Sequence, residues 1–514
     1  MTSAAVSVHD QAEGTGPFRF FARDFTASIV VFLVAMPLCM GIAIASGVPA
    51  EKGLVTGIIG GIVVGLLAGS PLQVSGPAAG LAVIVFEFVR DNGLSALGPV
   101  LVLAGAIQVI AGVAKLGGAF RAISPAVVHG MLAGIGALIV IGQFHILFDE
   151  KPLSSGPENL AMMPARLLGL TPFNLEATEF ALMLGLLTIG TMIAWEKFKP
   201  ARLGLLPGAL LGVLAATLVA SGFGLDVARI VVPESIAAAF ALPEAGAFSV
   251  LGNSSLILSA IAIAFIASAE TLLSAAAVDR MHDGVRTDYN KELRAQGVGN
   301  LLCGVFNALP MTGVIVRSSA NVQAGAMTRL SAVLHGVWIL GFVAMLPFVL
   351  REVPMAALGG VLVVTGWKLV SVKHVRHLFR VHGILPALIW VVTFLLVVTT
   401  DLLTGVLVGL ALSVVELLPH VRNLKFRVGE QSVGDTVGLE LEGAATFLGL
   451  TRLTNALEQL PAGRAVHVDM DKVHTIDHTT AEMLSEWVAR RRLRGDDVKV
   501  TGPASVIRTI APAA

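Results

Sequence analysis

Polar residues are too sparse over the first four-fifths of the chain to set up a half-buried helix or strand. Uncharged apolar runs cover Phe25 to Pro49, Gly53 to Phe86, Asn92 to Ala114 and Leu203 to Leu225. A bilayer crossing takes about 20 such residues as a helix. Cut at charges and at Pro/Gly breaks, the apolar part divides into about 14 segments. They fall near 24–46, 52–69, 76–90, 95–115, 122–147, 178–195, 203–222, 252–278, 292–309, 313–325, 328–349, 354–371, 383–399 and 401–419. Beyond about residue 420 the pattern changes. "TVGLELEGAATF" alternates as a strand, "GLTRLTNALEQL" is an amphipathic helix, and "RAVHVDMDKV" is a buried strand. "TAEMLSEWVARRRLRG" and "DVKVTGP" add a helix and another strand. The expected organisation is a polar N-terminus (1–23), an all-α polytopic membrane domain (24–420) and a soluble α/β module (421–514). At roughly 90 residues that module is short or truncated.

Two segments depart from the helical pattern. "LQVSGPAAGLAVIVFEF" has a polar entry and a Gly-Pro break, and its apolar part is too short to span. "NALPMTGVIVRSSANVQAG" is built the same way. They are third among the first seven segments and third among the second seven, the sequence pointer to a transporter made of inverted repeats. Non-helical backbone at mid-membrane is tolerated where it is buried or lines a cavity. Half-helices starting there direct N-terminal N–H groups and positive dipole ends into that cavity, which suits an anion.

Composition agrees with a membrane protein. Apolar residues make up 55% of the chain and charged residues 14%, against roughly 25% charged in soluble domains; the mean hydropathy is +0.83. The net charge of +0 argues for no nucleic-acid partner. Cys39 and Cys303 both lie in apolar segments, which disfavours a disulfide framework, and no spacing suggests a metal site or a cofactor. The first 22 residues are polar and no small-residue cleavage site follows the first apolar run, so the N-terminus is expected in the cytoplasm. With that end inside, the basic loops "KLGGAFR", "EKFKPAR", "DRMHDGVRTDYNKELR" and "KLVSVKHVRHLFR" all fall on the inner side. Both termini are then cytoplasmic, in an inner-membrane protein.

Charges inside apolar segments are costly and point to function. Glu270, in "IAIAFIASAETLLSAAAVD", follows a run uncharged back to Glu244. A carboxylate there costs roughly 2.5–3.5 kcal/mol even on the lenient insertion scale. It must face a cavity or a partner, or hold a proton, and it is the candidate proton-coupling group, with Thr271 and Ser274 as solvating neighbours. Arg317, at the start of the second half-helix, supplies fixed positive charge near the anion or pairs with Glu270. His129, His145 and His335 read as packed, hydrogen-bonded residues. Glu87 lies near a segment end, and Asp401 reads as a helix N-cap.

Ordered motifs carry a family resemblance over nearly the whole chain. They are "VAMPLCMGIAIASG", "SGPAAGLAVIV", "SAETLLSAAAVD", "NKELRAQGVGNLLCGVFNALPMTG", "VRSSANVQAGAMTRLSAVLHG" and "VHVDMDKVHTIDHTTAEML". In these the chain resembles the sulfate permease anion transporters that end in a STAS domain. The resemblance implies fourteen spans in a seven-plus-seven inverted repeat, with core and gate domains and a cytoplasmic STAS domain. It also implies elevator-like alternating access and a homodimer in the lipid bilayer. Carried over, the substrate site comprises Pro37, Leu38 and Ile42, then Ser75, Gly76, Pro77, Ala78 and Ala79, then Gly313, Val314, Ile315, Val316, Arg317 and Ser318. Glu270 and Ser274 adjoin it. Leu38 replaces a common Gln, and Ala78 an occasional aromatic. Ile315 stands where sodium-coupled relatives have Thr, so the coupling ion expected is a proton rather than sodium.

The function expected is proton-coupled symport of a small anion: bicarbonate, sulfate or a C4-dicarboxylate. The alternatives are an uncoupled anion channel or exchanger, a sodium-coupled bicarbonate symporter and a nucleobase permease. The STAS module and Arg317 argue against the last. No nucleophile–base pair marks an enzyme. In the STAS part, "IDHTTAEM" corresponds to the phosphoacceptor loop of the anti-sigma-factor antagonist fold. Thr479 or Thr480 is there either a modification site or a helix cap before Ala481.

Overall fold

The computed structural model describes residues 20–510 except 121–123, 154, 169–174, 201–202, 232–239, 241, 243–245, 280, 283, 371–383, 418–425, 434–435, 447–448, 462–463 and 494. Part of the basic stretch "KLVSVKHVRHLFR" therefore lies outside the described residues.

Among the described residues, six helices are long and apolar enough to cross a membrane. They are α1 (Phe21–Ala45), α2 (Ala50–Leu67), α4 (Leu94–Val113), α5 (Pro125–Leu147), α7 (Leu175–Phe198) and α9 (Ser254–Asp279). Between them come β1 (Ser75–Pro77), the half-length α3 (Ala79–Asn92), an amphipathic α6 (Gly156–Leu167) and α8 (Gly208–Gly222). The later part holds α10 (Tyr289–Val305), β2 (Met311–Gly313), the half-length α11 (Ile315–Gln323), α12 (Leu330–Met345), α13 (Met355–Leu369), α14 (Ile384–Thr399) and α15 (Leu402–Leu417). These helices lie close to the apolar segments read from the sequence.

α10 is nearly as polar as it is apolar, and Leu293, Ala295 and Cys303 are its fully buried apolar side chains. It packs on α4 through glycines. A Cβ at Gly105 would lie 2.6 Å from the Gly297 carbonyl, and one at Gly297 would lie 2.8 Å from the Gly105 carbonyl. Only small residues let two backbones approach so closely. Asp24, buried near the start of α1, receives the backbone N–H groups of Met327 and Thr328 at 2.8 and 3.0 Å. The N-terminal approach to α12 is thereby anchored to α1. Asp401 receives the Thr404 N–H at 2.8 Å and caps α15 as expected. Cys39 and Cys303 are both buried free thiols.

The C-terminal part is a four-stranded sheet in the order β3-β4-β5-β6: β3 (Phe426–Val433), β4 (Thr436–Ala445), β5 (Val466–Ile476) and β6 (Val498–Thr501). The first pair is antiparallel and the other two are parallel. Helices α16 (Leu450–Gln459), α17 (His478–Leu493) and α18 (Ala504–Ile510) accompany it. Leu439, Leu441, Val466, Val468, Leu484 and Trp487 form part of its core. At the end of β5 the cap differs from expectation. Asp477 caps α17 by accepting the Thr480 N–H at 2.8 Å, and Thr480 lies buried inside the first turn. A carboxylate one residue before the helix reaches that amide, so Thr480 is not the cap.

Candidate anion site at the crossing of two broken helices

β1 and β2 run antiparallel, with Ser75 opposite Gly313, Gly76 opposite Thr312 and Pro77 opposite Met311. Their sequences explain why the chain is extended here. Pro77 and Pro310 lack an N–H and disfavour helix in the residue before them. Each strand then gives way to a helix after one extended residue, Ala78 for α3 and Val314 for α11. Neither helix has a side-chain cap at its N-terminus. The surrounding backbone is otherwise satisfied: the Val314 N–H donates to the Val74 carbonyl (2.9 Å), the Val74 N–H to Ser318 Oγ (2.9 Å) and the Gly313 N–H to Thr271 Oγ1 (3.2 Å). Two helix N-termini thus issue from one crossing, each with its first-turn amides and positive dipole end uncapped.

Glu270, on α9, lies against the first turn of α3. A Cβ at Gly80 would fall 2.6 and 2.7 Å from its two carboxylate oxygens, so a larger residue there would push the acid aside. Its Oε2 is buried with no hydrogen-bond partner. The carboxylate opens onto a cavity between the crossing and the neighbouring helices. One wall is made by the crossing and by α9, through Ala79, Gly80, Glu270, Leu273, Ser274, Val314, Ile315 and Val316. The other wall comes from α1 (Leu38, Ile42), α5 (Val128, Met131, Leu132) and α13 (Thr365, Leu369). The lining is apolar except for Glu270, Ser274 and Thr365, a common make-up for a small-ligand site. Thr271 Oγ1 accepts the Gly313 N–H, which ties this neighbour of the acid to the crossing.

Arg317 sits in the first turn of α11 and is wholly buried. It does not line the cavity. Its guanidinium lies behind the crossing, where Nη2 donates to the Pro77 carbonyl at 3.4 Å. A Cβ at Gly76 would collide with Nη1. Cys39 and His335 are close enough to feel the charge. Nε and Nη1 have no hydrogen-bond partner, and Arg317 makes no salt bridge, with Glu270 or otherwise, among the described residues. A buried cation without a counter-ion is expensive, and the most direct compensation is an anion nearby.

Of the residues singled out from sequence, Leu38, Ile42, Ala79, Glu270, Ser274, Val314, Ile315 and Val316 line the cavity. Ser75, Gly76, Pro77, Ala78, Gly313 and Ser318 belong to the crossing itself, and Pro37 lies buried within α1. The cavity residues of α5 and α13 escaped the sequence reading, because nothing distinguishes Val128 or Leu369 from any apolar residue facing lipid. Gly80 escaped it too. His145 and His335 each contact a backbone carbonyl, of Asn159 and Ala332 respectively, and are packed residues as expected. Glu87 faces a separate opening between α3 and α5, near Gln143 and Asn159.

Comparison with known proteins matches this architecture to a described group. The profile of the Sulfate permease family matches residues 21–393, and that of an MlaB-type STAS domain matches residues 428–514. The chain belongs to the sulfate permease family, with a C-terminal STAS domain. Among its relatives is the "Putative sulfate transporter YvdB" of Bacillus subtilis, 28% identical over 499 residues, covering 94% of this chain and 91% of that protein. Another is the bicarbonate transporter BicA of Picosynechococcus sp., 27% identical over 422 residues, covering 79% and 72%. The transmembrane domain of a cyanobacterial BicA superposes with a TM-score of 0.65 at 23% identity, covering 77% of this chain and 98% of that one. SLC26A9 gives 0.68 at 16% identity, covering 95% and 86%.

Proposed function

We propose that this protein is a secondary active transporter of a small anion, bound where α3 and α11 begin and coupled to a proton through Glu270. The observation that carries the reading is the convergence of two uncapped helix N-termini and a buried arginine without a counter-ion on one crossing, beside a cavity that also holds a carboxylate. Names of relatives direct the choice of substrate to sulfate and bicarbonate, and backbone donors in an apolar cavity also suit a C4-dicarboxylate.

Coupling follows from electrostatics. Ionised Glu270 already lies over the first turn of α3. An anion arriving about 4 Å away would meet a repulsion of roughly 4 kcal/mol at an effective dielectric of about 20. A proton on Glu270 removes that repulsion and frees the α3 terminus for the substrate. The cavity separates α3, α9 and α11 from α5 and α13, so sliding of one group past the other would expose the site to alternate sides. In this reading α1 to α5 and α7 to α15, the half-helices α3 and α11 among them, form a seven-plus-seven repeat within a homodimer. The protein sits in the inner membrane with both termini cytoplasmic.

Uptake of labelled bicarbonate, sulfate and fumarate into proteoliposomes, with and without an inward proton gradient, tests the reading. At least one anion should accumulate faster with the gradient. Glu270→Gln, which imitates the protonated acid, should abolish that acceleration and leave exchange largely intact. Accumulation by the Gln variant under the gradient would place coupling elsewhere. Ohmic anion current without a driving ion would make the protein a channel.

A further inference from the structure

Mid-membrane strands have edges that must be satisfied without water. β2 pairs with β1 along one edge only. Along its other edge the outward-facing groups come at alternate residues, 309, 311 and 313, and each meets a side chain from a different helix. The Leu309 N–H donates to Thr56 Oγ1 at 2.9 Å, from α2. The Gly313 N–H donates to Thr271 of α9. Between them Asn300 of α10 behaves as a peptide group would: its Oδ1 accepts the Met311 N–H at 2.7 Å, and its Nδ2 donates to the Met311 carbonyl at 3.1 Å.

Asn300 is one rung of a ladder. Glu292, Gln296 and Asn300 recur every four residues on one face of α10 and are essentially wholly buried. Gln296 Nε2 donates to Ser75 Oγ in β1 and, at 3.0 Å, to Glu292 Oε1. Glu292 Oε2 accepts the Ser70 N–H at 2.9 Å. At the other end Asn300 Nδ2 also donates to Gln108 Oε1 at 2.8 Å, and Gln108 Nε2 donates to Ser268 Oγ at 3.1 Å. Ser268 lies two residues before Glu270 on α9. One helix face therefore holds the approach to β1, β1 itself, β2 and, through Gln108, the helix that carries the acid. None of these side chains lines the cavity.

We infer that Asn300 and Gln296 are positioning residues for the transport site. They set the depth and register of both strands, and so the point at which the two helix N-termini converge. This rests on the transport reading above. It separates a buried polar ladder that tunes affinity from one that only supports the fold.

The test compares Asn300→Ala and Gln108→Ala with Thr188→Val in the full-length protein. Thr188 is equally buried, and its hydroxyl contacts the backbone of α7 and α8 far from the crossing. Hydrogen exchange of the peptide around Met311 gives a readout independent of transport. Asn300→Ala should speed its exchange while peptides of α8 stay unchanged. In proteoliposomes the half-saturating anion concentration should rise about tenfold in Asn300→Ala, as expected for losing both hydrogen bonds to Met311 with partial relaxation. Gln108→Ala should raise it about two- to threefold by freeing only the outer end of the Asn300 amide. Thr188→Val should lower the melting midpoint and leave half-saturation alone. If Asn300→Ala does not fold, Gln108→Ala decides. Unchanged half-saturation in an active variant, or unchanged exchange at Met311, overturns the inference. A wild-type protein that moves no anion, with exchange behaving as expected, instead refutes the transport reading.

Discussion

Replacing Arg317 with methionine gives a prediction whose sign depends on the geometry. If Arg317 were the partner of a buried carboxylate, its removal would strand that charge and cost about 3–5 kcal/mol. The structure shows no such pair. It shows instead two guanidinium nitrogens, Nε and Nη1, buried without hydrogen-bond partners. Unsatisfied buried donors cost about 1–3 kcal/mol each, so an apolar side chain of similar length relieves roughly 2–6 kcal/mol. Lost packing returns about 1–2 kcal/mol of that. In anion-free detergent the melting midpoint of Arg317→Met should therefore stay level or rise. Anion binding should move the other way. On the proposed function, Arg317 acts through the crossing rather than by contact. A unit charge about 7 Å from the anion, at an effective dielectric of about 20, contributes roughly 2 kcal/mol. Half-saturation should then rise about 30- to 50-fold. Scanning fluorimetry at a fixed heating rate and concentration-dependent uptake measure the two effects. A large fall in the midpoint that is recovered on adding Glu270→Gln would refute the reasoning and reveal a functional ion pair.

Two further changes probe other contacts. Gly80→Ala places a methyl 2.6–2.8 Å from the Glu270 carboxylate, and should cost about 1–3 kcal/mol of stability by overpacking. The same change in a Glu270→Ala background should cost almost nothing, and a persistent cost in thermal scans would show that α3 is confined by something other than the acid. In the C-terminal sheet domain, Arg491 Nη1 pairs with Asp496 Oδ2 at 2.7 Å, with the side chains 8% and 5% exposed, and the guanidinium also donates to the carbonyls of Leu460 and Pro461 and lies over the Trp487 ring. Asp496→Ala leaves that cation without its carboxylate and should cost about 3–5 kcal/mol. Calorimetry of the full chain should then show an early transition, and an unchanged profile would refute the assignment.

Much of the architecture is legible in the residues because the bilayer imposes simple rules. Apolar length marks the long helices, and the matched breaks at Gly76-Pro77 and Pro310 mark the two places where a helix starts late. Glu270 and Arg317 stand out because charges in apolar runs are costly enough to need a reason. Composition likewise separates the C-terminal module, whose alternating strands and amphipathic helices appear close to where they were expected. All of these are local signals, carried by one segment at a time.

What depends on several segments at once came only from the tertiary structure. The sequence left Arg317 free to pair with Glu270 or to stand alone. Packing put its guanidinium behind the crossing, while the acid lies on the cavity side against Gly80. The cavity wall from α5 and α13 is made of leucine, valine and methionine with a single threonine, and an apolar side chain looks the same whether it faces lipid, a neighbouring helix or a substrate. Thr271 is the sequence neighbour of the acid, but a helix turns by about 100° per residue, and that rotation aimed its hydroxyl at Gly313. The polar residues of α10 are visible in the sequence at four-residue spacing, but which backbone they satisfy is a property of two strands, β2 just after α10 and β1 more than two hundred residues before it. The bilayer makes the presence of each buried polar group readable, because an unsatisfied group there is costly. Its partner is chosen by three-dimensional proximity, which no single stretch of sequence contains.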